Sequence, residues 1–183
     1  MQVTPLLLLH FDGQTVENTG FCETIILCKE RGVTILYNAL SVTHYIIGSC
    51  SNLNIGISNL KLQKILYFVQ AEFLVSTPTH TPCFSDRIEA WDFGPVVPVV
   101  YHKYKVYGSG LIPSNPYDAL STFYETISPM DQMIIDGVLE ETSSYSASQL
   151  VQITHNQSPW KNAYRQGFNN EITNASILAF FGE

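Results

Sequence analysis

The chain has 183 residues, of which 45% are hydrophobic and only 14% charged, and its formal net charge is -7. A chain of this length buries about 70% of the surface that its extended form exposes, so one core is sufficient without disulfides or a structural metal. The low charge and the 12% aromatic content exclude disorder of the whole chain. No apolar run approaches the roughly 18–20 residues that a transmembrane helix needs.

Residues 1–34, the leader, show neither a helical nor a strand period. The four leucines at 6–9 form a short run without preceding positive charge, which is not typical of a signal peptide. One hypothesis is that the leader is upstream DNA read as protein, because the codons of residues 29–32 can spell a purine-rich ribosome-binding sequence. The alternative is a genuine, poorly ordered extension. In either case we expect the folded domain to occupy residues 35–183.

The first two helices follow from hydrophobic periodicity. Apolar residues predict a helix over 36–51. Ser58 or Asn59 is suited to cap a second helix, which extends from residue 60 to about 75. The second helix is apolar on nearly all sides, and such a helix is usually buried. We therefore expect it to be the central helix of the domain.

A loop and a short strand come next. Two prolines interrupt residues 77–82 and predict a loop. Residues 87–91 alternate polar and apolar side chains, which predicts a strand, and Gly94-Pro95 is expected to end it. Pro98 suits the first turn of a third helix, and Gly108 is a natural residue to follow its end.

The remaining helices are predicted from their caps. Residues 109–119 form the longest internal loop, and four later residues have the capping chemistry that begins a helix. These are Ser128, Ser146, Ser158 and Thr173. The sequence therefore predicts a mainly α fold, a compact single helical domain around a central buried helix, with a small β element near residues 87–92.

Charge is unevenly distributed along the chain. Residues 36–110 carry five basic and four acidic side chains, whereas residues 111–183 carry two basic and eight acidic ones. An acidic C-terminal half does not favour binding to nucleic acid, and it favours solubility or a basic partner. Solvated helix faces commonly have the same pattern.

Signatures of catalysis and metal binding are scarce. The four cysteines follow no zinc-ligand spacing, and His80 with Cys83 lacks a second pair, so no cofactor or metal is expected. Asp86, Glu89 and Asp92 recur every three residues. In a strand, residues three apart face opposite sides, so these carboxylates are weak candidates for a metal site.

Three further features have both a structural and a functional interpretation. Residues 101–107 interleave aromatic and basic side chains, which is typical of base stacking but also of an amphipathic helix. Lys61 and Lys64 lie on the predicted central helix, where an unpaired ammonium is costly. They lie either at an exposed first turn or against acids such as Glu72 or Glu89, or against acids of a partner. His155 with Trp160 forms either a packed corner or a recognition edge.

Four blocks of sequence carry a family resemblance. Residues 57–68 (ISNLKLQKILYF), residues 88–97 (IEAWDFGPVV) and residues 101–104 (YHKY) occur in this order, followed by Thr154-His155 and Pro159-Trp160. Together they resemble the Panacea domain family, which includes SocA-like antitoxins and phage-associated GepA-like proteins. The resemblance covers about residues 36–181. Residues 113–127 and 143–147 align loosely, so a surface there is expected to be specific to each protein.

The resemblance implies a helical antitoxin, encoded in a bacterial genome or a prophage, that neutralises a cognate toxin by direct protein–protein binding. The expected partner is a toxin encoded by the adjacent gene. A SocA-like member can also deliver its bound toxin to a protease as an adaptor. We accordingly expect a non-enzymatic cytoplasmic protein that binds neither membrane nor nucleic acid. Two alternatives stay open: a metal-dependent hydrolase or nuclease using Asp86, Glu89 or His102, and a DNA-binding autoregulator.

Candidate site residues fall into two groups. The candidates for partner binding are long or aromatic side chains of the four blocks: Lys61, Lys64, Tyr67, Trp91, His102, Tyr104 and Trp160. The residues that the resemblance implies to be structural are Leu62, Gln63, Leu66, Phe68, Gly94, Pro95, His155 and Pro159.

Overall fold

The computed structural model describes residues 36–114 and 124–182. In chain order the helices are α1 Ala39–Asn52, α2 Asn59–Ser76, α3 Pro98–Tyr104, α4 Pro129–Ser143, α5 Ala147–Asn156, α6 Ser158–Ala163 and α7 Asn174–Phe181, and the strands are β1 Ile88–Trp91, β2 Gly94–Val96 and β3 Glu171–Ile172. A short 3-10 helix, Lys105–Tyr107, extends α3. The mainly α fold with a small β element near residues 87–92 is confirmed.

Helix α2 is the centre of the domain. The Ser58 hydroxyl accepts a hydrogen bond from the Lys61 amide at 3.3 Å and so caps its first turn. Fifteen of its 18 residues are buried, and α3, α4, α5, α7 and β2 all pack against it. The prediction that this helix is central and buried is confirmed; apolar side chains cover most of its surface, and its buried polar side chains include Gln63, Lys64 and Gln70, which bond within the fold.

Helix α1 begins three residues later than the sequence predicts. Asn38 is its N-cap, because the Asn38 side chain accepts a hydrogen bond from the Ser41 amide at 2.8 Å. Leu36 therefore precedes the helix and is 48% exposed. Tyr37 is instead drawn into the core, where its amide donates to the Cys83 carbonyl at 2.9 Å.

The strand element is larger than the sequence predicts. Gly94-Pro95 does not end the strand but begins β2, because Trp91 pairs with Gly94 across a two-residue turn. A proline is tolerated there because β2 lies at the edge of the described sheet, whose strand order is β2-β1-β3. Strand β3, which the sequence did not predict, pairs Ile172 with Ile88 in antiparallel register.

Three of the four predicted capping hydroxyls are confirmed; the fourth, Ser158, begins α6 as expected but as its first helical residue, and the N-cap Gln157 makes no side-chain hydrogen bond. The Ser128, Ser146 and Thr173 side chains each accept a hydrogen bond from the amide three residues on. Ser146 and Gln149 form a capping box. Helix α6 begins at Ser158 itself, after Gln157. The leader lies outside the described residues, as do positions 115–123 of the predicted long loop. Within the described ranges, no helix combines the length and apolarity needed to cross a bilayer.

Candidate functional site

Lys64 lies in the middle of the sequence block 57–68 on α2 and is fully buried, with 0% exposure. Its Nζ donates a hydrogen bond to the Pro95 carbonyl oxygen of β2 at 2.8 Å. Burial lowers the pKa of the Lys64 ammonium to about 7, because a charge is poorly solvated there. Lys64 therefore ties the central helix to the edge strand.

Lys61 has a similar role at the first turn of α2. It is 7% exposed, and its Nζ donates to the Ser143 carbonyl at the end of α4, at 3.0 Å. Burial lowers its pKa as well, and the nearby Cys50 partly opposes that effect. The expected carboxylate partners Glu72 and Glu89 are thus replaced by backbone carbonyls, which the last turn of a helix leaves free to accept hydrogen bonds.

The turn between β1 and β2 is held from three sides. The Lys64 ammonium binds Pro95 just after the turn. The Trp160 indole donates to the Trp91 carbonyl at 3.0 Å, and the Tyr164 hydroxyl donates to Asp92 Oδ1 at 2.9 Å. A two-residue hairpin turn fixed by three side chains from two other helices is a rigid support.

Gly94 closes this turn and leaves no room for a side chain. Its φ is +95°, in the region that favours glycine. A Cβ here would lie 2.8 Å from Thr154 Oγ1 and 3.0 Å from Lys64 Nζ. Because helix α5 and the central helix both approach the backbone this closely, the site requires glycine for packing as well as for conformation.

An aromatic stack stands beside the turn. The rings of His155 and Trp160 are parallel with centroids 4.0 Å apart, and Trp160 stacks on Tyr164 at 4.6 Å. Burial lowers the pKa of His155, and the charge of Lys64 lowers it further. The predicted corner of His155 and Trp160 is therefore a packed one, and it supports the turn through Trp160.

Phe93 stands at the tip of the rigid turn and is 67% exposed. It lines a groove of about 620 Å³ together with other aromatic side chains, Trp91, Tyr101 and Phe168. We name this feature the aromatic groove; its remaining lining is Leu60 and Val96, three glycine or serine positions, and the polar or charged residues Asn59, Gln63, Asp92, Lys105 and Asn169. Phe168 is also 67% exposed, so two large apolar side chains of this groove are open to solvent.

The polar residues beneath the groove are fully used within the fold. Gln63 Oε1 accepts from the Val97 amide at 2.8 Å and Nε2 donates to Asn59 Oδ1 at 3.0 Å. Asn59 in turn donates to the Tyr101 carbonyl at 3.2 Å. This chain of hydrogen bonds fixes α3 and β2 on α2 and so gives the groove a firm floor.

The candidate partner-binding residues differ in how deeply they are buried. Tyr67 and Tyr104 are 0% and 1% exposed and lie in the core. Trp91 and Trp160 are half-buried beside the turn, and His102 is exposed on α3. Of this set, Trp91 lines the aromatic groove, with its ring 4.8 Å from that of Tyr101 and 6.3 Å from that of His102.

The candidate structural residues surround the same support. Leu62, Leu66 and Phe68 are completely buried on α2, and Pro159 is buried at the start of α6. Gly94, Pro95, Gln63 and His155 make the contacts described above. The first four belong to the core, and the contacts of Gly94, Pro95 and His155 are made at or beside the turn that carries Phe93.

The carboxylates considered for a metal site bind different partners within the fold. Asp86 Oδ2 accepts from the Ala39 amide at 2.7 Å. Glu89 pairs with Arg87 at 2.8 Å and accepts from the Trp91 indole at 2.8 Å. Across residues 36–114 and 124–182, no three His, Cys, Asp or Glu side chains are grouped so that they could hold a metal ion.

Sequence reasoning missed Phe93, Tyr164 and Phe168. Phe93 could have been found, since an aromatic residue between Asp92 and Gly94-Pro95 in a turn has no core to enter. Phe168 lies between α6 and β3, and its position beside the turn depends on tertiary packing.

A second groove lies between α1 and α4. Its lining includes Leu53, which directly follows α1, and Asp136 and Glu140 of α4.

Comparison with known proteins identifies the family. The sequence profile described as "Antitoxin SocA-like, Panacea domain" matches residues 62–161. The chain is 39% identical over 130 residues to the antitoxin SocA of Caulobacter vibrioides (strain NA1000 / CB15N), covering 67% of this chain and 68% of the relative. No solved structure matches the chain. The chain therefore belongs to the SocA-like antitoxin, Panacea domain family.

Proposed function

We propose that this protein is an antitoxin that neutralises a toxin by binding it directly. The observation that carries the proposal is the aromatic groove, with Phe93 and Phe168 each 67% exposed over a hydrogen-bonded floor. Interfaces are enriched in aromatic residues and depleted of charge at their centre. Because the chain belongs to an antitoxin family, the partner we propose for that surface is a toxin.

A non-enzymatic role is part of this proposal. Two of the polar side chains in or near the groove are used within the fold: Gln63 binds the Val97 amide, and Glu89 on β1 binds Arg87 and Trp91. Side chains that hold backbone and neighbours in place are poorly available as acids, bases or nucleophiles. Binding a partner needs only a shaped surface, which this arrangement supplies.

The partner is a toxin encoded by the adjacent gene, and the complex forms in the cytoplasm. In an extension of the proposal, the antitoxin also hands its bound toxin to a protease. That extension predicts that the toxin's half-life shortens when this protein is present and lengthens in a host lacking the protease. An unchanged half-life would leave direct inhibition as the whole mechanism.

Co-expression tests the main proposal. The product of the adjacent gene should arrest growth when produced alone, and growth should recover when this protein is produced with it. The two should also co-purify. A matched control is Leu66→Asp, which places a charge at a position with 0% exposure and should prevent folding and rescue. A product that is harmless alone, or that stays toxic beside this protein, would overturn the proposal.

A further inference from the structure

We propose that His155 is a pH sensor for the turn between β1 and β2, which carries Phe93. The turn stays closed on α5 while the His155 imidazole is neutral, and it opens when that imidazole gains a proton. Histidine is the side chain whose ordinary titration falls between pH 5 and 8. His155 is linked to the turn because its ring stacks on Trp160, and the Trp160 indole donates to the Trp91 carbonyl. The sensor acts within this chain, with or without a bound toxin, and so goes beyond the proposed antitoxin function.

The surroundings of the His155 ring suit its neutral form. One face of the ring lies against the Trp160 indole, with centroids 4.0 Å apart. The Nε2 atom is enclosed, and none of the described residues offers it a hydrogen-bond partner. In a neutral imidazole that nitrogen can remain without a proton, whereas protonation places an N–H there with no acceptor. A buried donor without a partner is costly, so the closed turn resists protonation of His155.

Lys64 adds a second penalty on the protonated ring. Its side chain is fully buried, and its Nζ donates to the Pro95 carbonyl at one end of the turn. Burial and then the charge of Lys64 lower the pKa of His155, and a hydrogen bond from the ring to the Asp92 backbone partly opposes both. Two positive charges repel each other strongly where water screens them poorly. The closed turn therefore disfavours the state in which both side chains are charged.

The other charged groups around His155 were considered element by element. Helix α5 packs against α2, α6 and β2, and β2 has no titratable side chain. Asp92 of the turn is exposed, and its Oδ1 accepts a hydrogen bond from Tyr164. The remaining titratable side chains of the packed helices are Lys61, Tyr67 and Glu72 of α2 and Lys161 of α6. Among all of these, the charge that shifts the pKa of His155 is that of Lys64.

The direction of the pH effect follows from these penalties. When the turn opens, water reaches His155 and its pKa returns to its ordinary value of about 6.5. Its pKa in the closed turn is lower, so the open form binds the proton more tightly and the closed form loses stability as pH falls through about 6.5. Lys64 adds nothing to this change, because its pKa in the closed turn is about 7. Below about pH 6 it is protonated in both forms.

The turn is the part of this cluster that can move. Strand β2 has three residues and lies at the edge of the described sheet, whereas His155 and Lys64 lie on packed helices. Local opening takes place where few buried contacts are lost. Acid should therefore release β2 and the turn from α5. The aromatic groove should change with them, because Trp91 and Phe93 belong to its lining.

The test is made on the full chain alone, so its result does not depend on whether the protein is an antitoxin. NMR titration of the His155 ring should give a pKa below the ordinary value of about 6.5, and Lys64→Met should raise that pKa. Amide hydrogen exchange is then followed between pH 7 and 5, with correction for the direct effect of pH on exchange. Residues 88–97 should lose protection about three- to tenfold, because one unit of pKa difference is tenfold in the opening constant.

Two variants complete the test. His155→Phe keeps a ring against Trp160 but cannot titrate, so residues 88–97 should keep their protection across this range. His102→Gln, a change at an exposed histidine on α3, is the matched control and should lose protection as the unmodified chain does. An equal loss in His155→Phe would overturn the proposal.

The titration of the unmodified chain is decisive without any substitution. A His155 pKa at or above about 6.5 would also overturn the proposal. It would mean that the face of the Trp160 indole attracts the imidazolium more strongly than burial and Lys64 disfavour it.

Discussion

Lys64 and Pro95 are joined by a 2.8 Å hydrogen bond from the buried ammonium to a backbone carbonyl on the edge strand. Proline has no amide hydrogen to donate, but its carbonyl oxygen accepts normally. The central helix therefore positions the hairpin through a side chain that most proteins keep at the surface. The position of Phe93, two residues before Pro95, depends on this contact.

The buried amine makes stability depend on pH. The folded-state pKa of Lys64 is about 7, below that of the unfolded chain, so the unfolded state binds the proton more tightly. The stability that Lys64 permits is therefore greatest above its pKa in the unfolded chain. It falls as pH is lowered and reaches its minimum below the folded-state pKa of about 7. We expect the unfolding free energy to rise by about 2 kcal/mol between pH 7 and 9. In Lys64→Met this rise should disappear, as measured by urea unfolding.

Lys161→Met, a change at an exposed lysine on α6, is the control and should keep the rise. A Lys64→Met protein whose pH dependence equals that of the unmodified chain would show that Lys64 does not titrate in this range.

Gly94→Ala should destabilise the protein more than Gly108→Ala. Both glycines have positive φ, +95° and +55°, so each substitution costs about 1–3 kcal/mol in backbone strain. At Gly108 a Cβ meets nothing within 4 Å, whereas at Gly94 it meets Thr154 Oγ1 at 2.8 Å. We expect Gly94→Ala to be worse by about 1 kcal/mol or more, measured by thermal and urea unfolding. Equal costs would mean that α5 moves aside freely.

Gln70 should contribute strongly to the stability of the fold. It is 1% exposed; its Oε1 accepts from the Cys83 and Phe84 amides, and its Nε2 donates to the Phe84 carbonyl and to Asn174. Gln70→Leu leaves two backbone amides without an acceptor, so we expect a loss of about 2–4 kcal/mol. Asn174→Ala removes a single one of these bonds and should cost about 1 kcal/mol. A loss in Gln70→Leu no larger than in Asn174→Ala would contradict this.

Glu141 should make stability depend on pH in the opposite direction to Lys64. Burial and the neighbouring Glu140 raise its pKa to about 7, so the folded state holds the proton more tightly than the unfolded chain. Its contribution to stability is fully present below the unfolded pKa, near 4, and is lost as pH rises through about 7. Glu141→Gln should flatten the fall in melting temperature between pH 5 and 7, the range in which the opposing effect of Lys64 has not yet begun. Glu171→Gln, at an exposed position, should leave that fall unchanged.

Local rules predicted much of the helical framework. Ser58, Ser128 and Ser146 cap their helices as their side-chain chemistry requires, because a cap depends on residues three positions apart. Helix α2 was expected to be buried because it is apolar on nearly all sides. The predicted start of α1 was wrong, because Leu36 fits the helical period of the apolar residues. The helix instead begins after its N-cap Asn38, and Tyr37 is held outside it by a hydrogen bond to Cys83.

The site was predicted less well, because it depends on residues far apart in the chain. Trp91 and Trp160 were selected as long aromatic side chains, but their contact joins positions 69 residues apart. Lys61 and Lys64 were expected either at an exposed first turn or against carboxylates of this chain or a partner, and both instead are buried and meet backbone carbonyls of other elements. No local pattern specifies a carbonyl acceptor, since every residue has one.

By itself the sequence determined the helical class, most of the caps, the central helix and, through four short blocks, the family. These properties depend on side-chain periodicity and neighbouring residues, which the order of amino acids contains directly. The tertiary structure alone decided that Gly94-Pro95 begins a second strand, that Lys64 is buried, and that Phe93 and Phe168 line one groove. Each of these requires distant elements to approach within a few ångströms, and only the packed fold sets such distances.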